Sequence, residues 1–314
     1  MPAALITGAS TGIGRELADM AARDGYDLVL VARSESRLQQ VAGEVRQKFG
    51  RKTIVVPKDL SKQETPQEIS NEIAARGIDV EVLVNNAGFG LLGKFSELPE
   101  REQIDMVQLN VTALTHMTRL FLPGLIQRRR GMVMNVSSTA AFQPGPLMAV
   151  YYATKAYVLS FSEAIHNEAK DFGVSVTCLC PGATNTEFDK RAGTTQTKLF
   201  TSGRVMSARR VAEIGWDGMK RGKPLVIAGN LNRAMAFLTR TDATRKMHRF
   251  YIVTVTANLF GEWGRVGFPG TMRSRSFPQE QEARAAEQRS IRRRLRHGYT
   301  IRLAEIPANE NSAS

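Results

Sequence analysis

The sequence predicts an α/β protein built on a doubly wound parallel sheet of about seven strands, followed by a small β-rich C-terminal segment. Short apolar runs alternate with longer segments of helical periodicity over the first 245 residues. Strands that alternate with helices form a parallel sheet, and right-handed crossovers then cover both of its faces. A glycine-rich turn joins the first strand to the first helix, and the composition changes after residue 245.

The seven apolar runs have the length of strands and are too short for complete helices. The predicted strands are Ala3–Thr7, Asp27–Ala32, Thr53–Pro57, Val80–Asn85, Gly131–Ser137, Ser175–Cys180 and Leu225–Ala228. The segments between them carry apolar residues at helical spacing. The predicted helices are Arg15–Arg23, Glu35–Phe49, Thr65–Arg76, Ile104–Gln127, Ala153–Asp171 and Ala208–Arg221.

The chain has 314 residues, and 43 Lys and Arg against 30 Asp and Glu give a formal net charge of +13. Because 42% of the residues are hydrophobic, the chain can bury a core, which excludes a wholly disordered or fibrous protein. No apolar run approaches the ~20 residues of a membrane helix, and the N-terminus lacks the pattern of a signal peptide. We therefore expect a cytoplasmic protein without a membrane span.

The only two cysteines, Cys178 and Cys180, stand two residues apart in an apolar run. A strand would point both side chains to one face, and buried reduced thiols are the expectation. Because no cluster of Cys and His occurs at ligand spacing, we predict no metal site.

The glycine-rich turn places Gly8, Gly12 and Gly14 between the first strand and the first helix. Glycines at such a turn let backbone amides and the helix N-terminus approach a pyrophosphate closely. The turn therefore predicts a dinucleotide site. The alternative is a tight turn that happens to be rich in glycine.

Arg33 stands at the end of the second strand, where an acidic residue would hydrogen-bond the ribose hydroxyl groups of NAD. A cation at this position fits the 2′-phosphate of NADP instead. The sequence therefore favours NADP (NADPH) over NAD as the cofactor. The alternative is a solvated arginine at the end of a strand.

Three further segments follow in order: Asn85–Gly88 after the fourth strand, Ser138 after the fifth, and Tyr151–Lys155 in the next helical region. Together with the glycine turn they resemble the classical branch of the short-chain dehydrogenase/reductase family, over residues 1–245. The resemblance implies a Rossmann-type fold and an NAD(P)-dependent oxidoreductase that acts on a carbonyl or secondary alcohol. It also implies a homo-oligomer, because family members are commonly dimers or tetramers.

The resemblance implies roles for individual residues of this chain. It gives a catalytic tetrad of Asn110, Ser138, Tyr151 and Lys155. It gives a cofactor-binding set of Gly8, Ser10, Gly12, Ile13, Gly14, Arg33, Asp59, Asn86, Gly88, Tyr151, Lys155, Pro181, Gly182 and Thr186. One departure is Thr11, where many members that prefer NADP have a basic residue. The preference for NADP therefore depends mostly on Arg33.

Ketone reduction explains why a tyrosine and a lysine occur four residues apart. The carbonyl oxygen gains negative charge as hydride arrives at carbon, so it must receive a proton. Lys155 shares a helical face with Tyr151, where its positive charge favours phenolate and lets the phenol exchange a proton near neutral pH. Ser138 would polarise the carbonyl, and the resemblance implies that Asn110 holds a water linking Lys155 to solvent. Tyr152 lies about 100° away around the helix, so we expect it to pack or to form pocket wall.

The substrate is predicted only by its class. Apolar residues on loops near the carbonyl site favour a small-molecule substrate that is a 3-oxoacyl compound or another lipophilic ketone. Core packing is the competing interpretation for at least half of them. These residues are Phe89, Leu91, Leu92, Phe142, Leu147 and Met148.

Residues 247–303 carry a second resemblance, in which Trp263, Gly264 and Arg265 match the signature of the WGR domain. This small β-rich module is associated in some proteins with DNA-dependent poly(ADP-ribose) polymerases. Members separate a Phe-Gly-x-Trp turn from the Trp-Gly-Arg strand, whereas one tryptophan serves both here, which predicts a module truncated by about one strand. We expect a helix over Gln279–Arg296 and a disordered tail over residues 304–314.

A run of arginines in this predicted helix either contacts phosphate backbones without reading base sequence or forms a solvated helix face. The alternative function is therefore a nucleic-acid-associated protein, in which the reductase-like domain is a nucleotide-sensing scaffold and the tail binds DNA. The intact catalytic set argues against a scaffold that has lost catalysis. The arginines are Arg289, Arg292, Arg293, Arg294 and Arg296.

Overall fold

The structure, a computed structural model, describes residues 2–193, 205–236, 249–255, 258–265, 271–276 and 300–303. The chain divides into two units, Met1–Ala234 and Met235–Ser314. Each unit contains a sheet of its own. None of the helices in these described ranges is both long and apolar enough to cross a membrane.

The first unit is built on a seven-stranded sheet in the order β3-β2-β1-β4-β5-β6-β9, with every neighbouring pair parallel. This order confirms the predicted doubly wound parallel sheet. The strands are β1 Ala3–Thr7, β2 Asp27–Ala32, β3 Thr53–Pro57, β4 Val80–Asn85, β5 Gly131–Val136, β6 Val174–Cys180, β7 Thr184–Asn185, β8 Met206–Ser207 and β9 Leu225–Ile227. The two-residue strands β7 and β8 pair with each other outside this sheet.

Helices cover both faces of the sheet and give it two cores. Leu17, Leu38 and Trp216 are buried in the core on one face, while Ile69 and Met117 are buried in the core on the other. Full burial of such a side chain contributes about 1.5–3 kcal/mol to the free energy of folding. The helices are α1 Gly12–Arg23, α2 Glu35–Phe49, α3 Thr65–Ala75, α4 Glu100–Val107, α5 Leu114–Gln127, α6 Ala149–Ala169, α7 Glu187–Ala192 and α8 Ala208–Lys220.

The segment predicted as one helix over Ile104–Gln127 contains an irregular turn in the structure. A π-helical turn, Gln108–Ala113, separates α4 from α5. Asn110 within this turn is buried, its Oδ1 accepts from the Phe89 backbone N–H at 3.1 Å, and its Nδ2 donates to the Phe89 carbonyl at 2.9 Å. These partners lie 21 residues earlier in the chain, so helical periodicity alone does not reveal the turn.

The strand order places a crevice between β1 and β4. The connections from β1 lead to β2 and β3 on one side, and those from β4 lead to β5 and β6 on the other. Loops that leave the carboxyl ends of two such strands diverge, and ligands bind in the opening between them. Gly8 follows β1 and Asn86 follows β4, so both stand at this opening.

The second unit contains a four-stranded sheet in the order β12-β11-β10-β13. The pairs β10–β11 and β11–β12 are antiparallel, whereas β10 and β13 are parallel. Trp263, Gly264 and Arg265 end the continuous strand β11, and the register pairs Trp263 with Tyr251. The predicted helix Gln279–Arg296 and the predicted tail lie outside the described residues. The strands are β10 Arg249–Val255, β11 Asn258–Arg265, β12 Thr271–Ser276 and β13 Thr300–Leu303.

Candidate active site

A cleft of about 520 Å³ opens at the carboxyl ends of the central strands of the first unit. Most of the residues predicted for the site line it, although they come from distant parts of the sequence. Those lining it are Gly8, Ser10, Gly12, Ile13, Arg33, Asp59, Asn86, Gly88, Ser138, Tyr151, Lys155, Pro181 and Thr186. Gly14, Asn110 and Gly182 are absent from the lining, which comprises described residues only.

The glycine turn leaves backbone amides available at one side of the cleft. Gly8 has φ +65° and Gly12 has φ +55°. Residues other than glycine rarely adopt this left-handed backbone conformation. Thr11 is the N-cap residue of α1, yet its side chain makes no capping hydrogen bond. The first N–H groups of a helix need partners and carry positive partial charge. The turn is therefore suited to hold an anion such as a pyrophosphate.

Gly14 lies behind this turn and explains how closely α1 packs there. A Cβ atom on Gly14 would overlap the Gly8 carbonyl oxygen and the Asn86 side-chain amide. Gly14 is buried. Its contribution to the site is therefore close packing, which fixes the shape of the turn from behind.

Thr7 and Asn86 join the two strand ends at the floor of the cleft. The Thr7 hydroxyl oxygen accepts from the backbone N–H groups of Asn86 and Ala87, both at 3.0 Å. The Asn86 side-chain amide donates to the carbonyl oxygens of Thr7 at 3.0 Å and Gly8 at 3.2 Å. These bonds hold the glycine turn in register with the loop after β4.

Lys155 lies at the floor of the cleft with only 5% of its surface exposed. Its Nζ donates to the Val136 carbonyl oxygen at 2.9 Å and stands 5.7 Å from the centroid of the Tyr151 ring. Burial in this setting penalises the charged form and lowers the pKa of Lys155 from 10.5 to about 8. An amine whose pKa is lowered to about 8 thus stands beside a phenol.

Tyr151 and Tyr152 occupy different positions although they are adjacent in α6. Tyr151 lines the cleft, and its ring centroid lies 5.4 Å from that of Phe188. Tyr152 meets the Tyr151 ring edge to face at 6.1 Å and covers Gly145, where no room for a Cβ atom exists. Of these two tyrosines, Tyr151 lines the cleft and Tyr152 does not.

Ser138 presents a hydroxyl group on the same cleft. It is the N-cap of a short 3₁₀ turn, Thr139–Phe142, and its Oγ accepts from the Ala140 N–H at 3.1 Å. The same hydroxyl lies 3.5 Å from the Pro181 carbonyl oxygen. The turn therefore orients Ser138 towards the space that Tyr151 also faces.

Asn110 stands behind the cleft and supports its wall. In addition to the Phe89 backbone, its Nδ2 donates to the Thr154 hydroxyl at 3.1 Å. A Cβ atom on Gly88 would come within 2.9 Å of Asn110 Oδ1 and 3.5 Å of Lys155 Nζ. Asn110 therefore links the π-helical turn, the loop after β4 and the helix that carries Tyr151 and Lys155.

Basic residues gather at the other end of the cleft. Arg33 is exposed there, and in the described part of the chain it makes no ion pair or hydrogen bond. Arg37 and Lys58 also line the cleft, paired with Glu187 and Glu68 respectively, each at 2.6 Å. Neither cation was expected from the sequence, although Arg37 stands four residues after Arg33 and Lys58 directly precedes Asp59.

Asp59 is held by its own local turn at this end of the cleft. Its Oδ1 accepts from the Ser61 backbone N–H at 3.0 Å and from the Ser61 hydroxyl at 2.8 Å. Leu60 and Ser61 line the cleft beside it. The carboxylate is thus fixed at the edge of the opening.

The apolar residues predicted near the substrate have different locations. Phe89 lines the cleft, while Leu91 and Met148 pack in a cluster with Tyr151. Phe142 instead packs in a core cluster with Cys178 and Cys180. Leu147 is half exposed with φ +66°, and its carbonyl oxygen accepts from the Gly93 N–H at 2.8 Å. Phe188, which was not among the residues predicted from the sequence, adds an apolar wall beside Tyr151.

Cys178 and Cys180 are free and buried, as a strand with both side chains on one face predicts. Their sulfur atoms lie 3.8 Å apart. A hydrogen bond between Cys178 and Cys180, together with burial, raises the pKa of Cys178 well above its ordinary value. Within the described ranges, no group of three or more His, Cys, Asp or Glu side chains could hold a metal ion.

Comparison with known proteins gives two family matches. The family model described as short chain dehydrogenase matches residues 2–197, and the model of the WGR domain matches residues 235–305. The second match confirms the resemblance predicted for the C-terminal segment.

Individual relatives are similar to this chain over part of its length. A very-long-chain 3-oxoacyl-CoA reductase of Laccaria bicolor is 39% identical over 175 residues, which cover 55% of this chain and 52% of the relative. The chain therefore spans about half the length of that protein. A very-long-chain 3-oxoacyl-CoA reductase of Bos taurus is 33% identical over 226 residues, which cover 71% of each chain. The solved structure of a short-chain dehydrogenase from Sphingobium yanoikuyae in complex with NADPH has a TM-score of 0.70 at 31% identity, covering 77% of this chain and 94% of that one.

Two glycines provide a test of the packing at the glycine turn. Gly14→Ala should lower the free energy of unfolding by about 1–3 kcal/mol, because the added methyl group overlaps the turn. Gly43→Ala, in the exposed middle of α2 with no atom within 4 Å, should instead raise it by about 1 kcal/mol. Urea unfolding of both variants checks the pair. Equal effects on stability would contradict the proposed packing.

Proposed function

The chain belongs to the short chain dehydrogenase family, and from that premise we propose that it is an NADP(H)-dependent oxidoreductase. In this proposal it transfers a hydride between the nicotinamide and a carbonyl or secondary alcohol of an apolar substrate. The supporting observation is that Ser138, Tyr151 and Lys155 line the same cleft as the glycine turn. We also propose a dimer or tetramer, as is common in the family.

The residues at the glycine turn fit a dinucleotide. The uncapped N-terminus of α1 offers N–H groups to a pyrophosphate, and the left-handed glycines let that group approach the backbone. Asp59 would accept a hydrogen bond from the adenine, and Thr186 and Pro181 would hold the nicotinamide amide. Bound NADPH supplies the hydride.

Tyr151 acts as the general acid when a ketone is reduced. As hydride adds to the carbonyl carbon, the carbonyl oxygen becomes an alkoxide and takes the proton of the Tyr151 hydroxyl. Ser138 donates a hydrogen bond to the same oxygen and stabilises its developing charge. The Lys155 ammonium group stabilises the phenolate that remains. In the oxidation direction, the same phenolate accepts the proton of the alcohol.

The preference for NADP is proposed from the charges at the adenosine end of the cleft. Arg33 follows β2 and has no competing acidic partner among the described residues. Its guanidinium group matches the geometry of a phosphate. Solved relatives of this chain include a complex with NADPH.

A lipophilic ketone is proposed as the substrate because the wall beside Tyr151 is apolar. Phe89, Met148 and Phe188 pack in one cluster with the tyrosine ring. The curated relatives named above are very-long-chain 3-oxoacyl-CoA reductases. A 3-oxoacyl thioester is therefore the first compound to assay.

Tyr151→Phe tests the proposed general acid. The substitution keeps the ring but removes the transferable proton, so the turnover of a 3-oxoacyl thioester should fall by about 10²–10⁴ while NADPH still binds. NADPH oxidation measures turnover, and cofactor fluorescence measures binding. Tyr152→Phe is the matched control and should retain activity. An active Tyr151→Phe beside an inactive Tyr152→Phe would reverse the assignment.

Arg33→Asp tests the preference for NADP. Attraction to the 2′-phosphate becomes repulsion, so the affinity for NADPH should fall far more than the affinity for NADH and the preference should reverse. Titration of both cofactors measures the ratio of the two dissociation constants. Arg46→Asp, which makes the same change on α2 at a residue that does not line the cleft, should leave that ratio unaltered. An unchanged ratio in Arg33→Asp would remove Arg33 from the site.

A second candidate function is favoured by the match of residues 235–305 to the WGR domain. We propose that the arginines between Arg289 and Arg296 contact phosphate backbones of DNA, independently of base sequence. This activity would accompany the reductase. In the alternative form of the hypothesis, the first unit is only a nucleotide-sensing scaffold.

Neutralising the arginine run tests this second function in the full-length chain. Replacing the run by glutamine should weaken DNA binding and flatten its salt dependence, because fewer counterions are then released. A binding titration at two salt concentrations provides the measurement, and the reductase assay is the control. Unaltered DNA binding would show that the arginine run does not contact DNA. A wild-type protein without reductase activity would favour the hypothesis that the first unit is a nucleotide-sensing scaffold. The replaced residues are Arg289, Arg292, Arg293, Arg294 and Arg296.

A further inference from the structure

Three consecutive residues after β7 bridge separate parts of the cleft. The Thr186 side chain packs on Gly12, with atoms 3.1 and 3.2 Å from where a Cβ of Gly12 would lie. Glu187 pairs with Arg37 at 2.6 Å. The Phe188 ring lies against Tyr151, and a Cβ on Gly90 would meet it at 3.0 Å. Residues 186–188 therefore touch the glycine turn, α2 and the catalytic helix in succession.

The Arg37–Glu187 ion pair joins α2 to the start of α7. Arg37 lies in the first turn of α2 and Glu187 begins α7, 150 residues later. Both residues line the cleft of about 520 Å³, and both also line a second cavity of about 530 Å³. The pair thus stands between two open spaces.

The surroundings of this pair indicate that it can open. The side chains of Arg37 and Glu187 are 51% and 55% exposed. An ion pair between exposed side chains is weak, and salt screens it. Such a pair is unsuited to hold the fold together. It is suited to join two elements that must separate when a ligand enters or leaves.

We propose that Arg37 and Glu187 are positioning residues that latch residues 186–188 across the bound cofactor and slow its release. The proposal rests on the proposed function, since it requires a dinucleotide in this cleft. When the pair forms, Thr186 stays on the glycine turn and Phe188 stays on Tyr151. When it breaks, the first turn of α7 is free to move away and the cofactor can leave.

A different role for Arg37 predicts the opposite change in the rate of cofactor release when Glu187 is replaced. If Arg37 served only as a ligand of a cofactor phosphate, Glu187 would compete for the guanidinium group. Removing the Glu187 charge would then release Arg37 to the cofactor and slow dissociation. If the pair is a latch, removing the same charge accelerates dissociation. The direction of the change therefore separates the two roles.

The dissociation rate of NADPH provides the test, measured by stopped-flow fluorescence on displacement by excess NADP⁺. For full-length Glu187→Gln we expect release about two- to fivefold faster than for the wild type, the range that corresponds to an exposed ion pair. Arg37→Gln should also accelerate release, and the double variant should add nothing to the single changes because the pair is already broken. High salt should accelerate the wild type towards the variants.

Glu72→Gln is the matched control, because it removes a comparable ion pair away from the cleft. Glu72 lies on α3 and pairs at 2.7 Å with Arg76, the C-cap residue of that helix. It should leave the dissociation rate unchanged. The thermal midpoints of the Glu187 and Glu72 variants should match the wild type, which separates a latch from general destabilisation.

Four results would overturn the latch. Slower release from Glu187→Gln would make Arg37 a phosphate ligand, and an unchanged rate would leave the pair without a role in cofactor retention. Additive effects in the double variant would show that the two residues act separately. A wild-type protein that binds no NADPH would overturn the cofactor assignment itself, and the latch with it.

Discussion

The ends of β1 and β4 are joined by side chains at the strand ends, and the cleft depends on that connection. The Thr7 hydroxyl oxygen accepts hydrogen bonds from two backbone N–H groups after β4. The Asn86 side-chain amide donates hydrogen bonds to two carbonyl oxygens at the end of β1. Backbone groups that leave a sheet lose their ladder partners, and these bonds replace them. The loops therefore diverge from a fixed floor. Gly14 packs against the same point from behind, so one small region sets the position of α1, the glycine turn and the loop after β4.

Burial of the charged Lys155 side chain at the floor of the cleft destabilises the folded protein. Its burial lowers its pKa to about 8, so below that pH the folded protein bears the cost of a buried ammonium group, because the lysine is charged in both states. As the pH rises towards 10.5 the folded state loses this charge first, and the cost is relieved. The Val136 carbonyl offsets part of it, and the π-helical turn with Asn110 supports the adjacent wall. Perturbed groups of this kind are typical of functional sites.

Regular structure and the family could be predicted from local patterns. Short apolar runs between helical segments located the strands of the parallel sheet to within about two residues. Burial on both faces of a sheet requires such continuous apolar sequence. The i, i+4 spacing of Tyr151 and Lys155 predicted one shared helical face, and both residues line the cleft. The π-helical turn escaped this reasoning, because Asn110 satisfies its side chain on the distant Phe89 backbone.

The sequence by itself determined the fold class, the strand–turn–helix at Gly8–Gly14 and the shared helical face of Tyr151 and Lys155, since each depends on short spacings within one segment. Only the tertiary structure decided that Gly14 packs behind the turn, that Phe142 belongs to a core cluster and that Arg37 meets Glu187 across the cleft. Arg37 and Glu187, for example, stand 150 positions apart in the sequence. Such contacts arise when the sheet brings strand ends together, so no local period or motif encodes them.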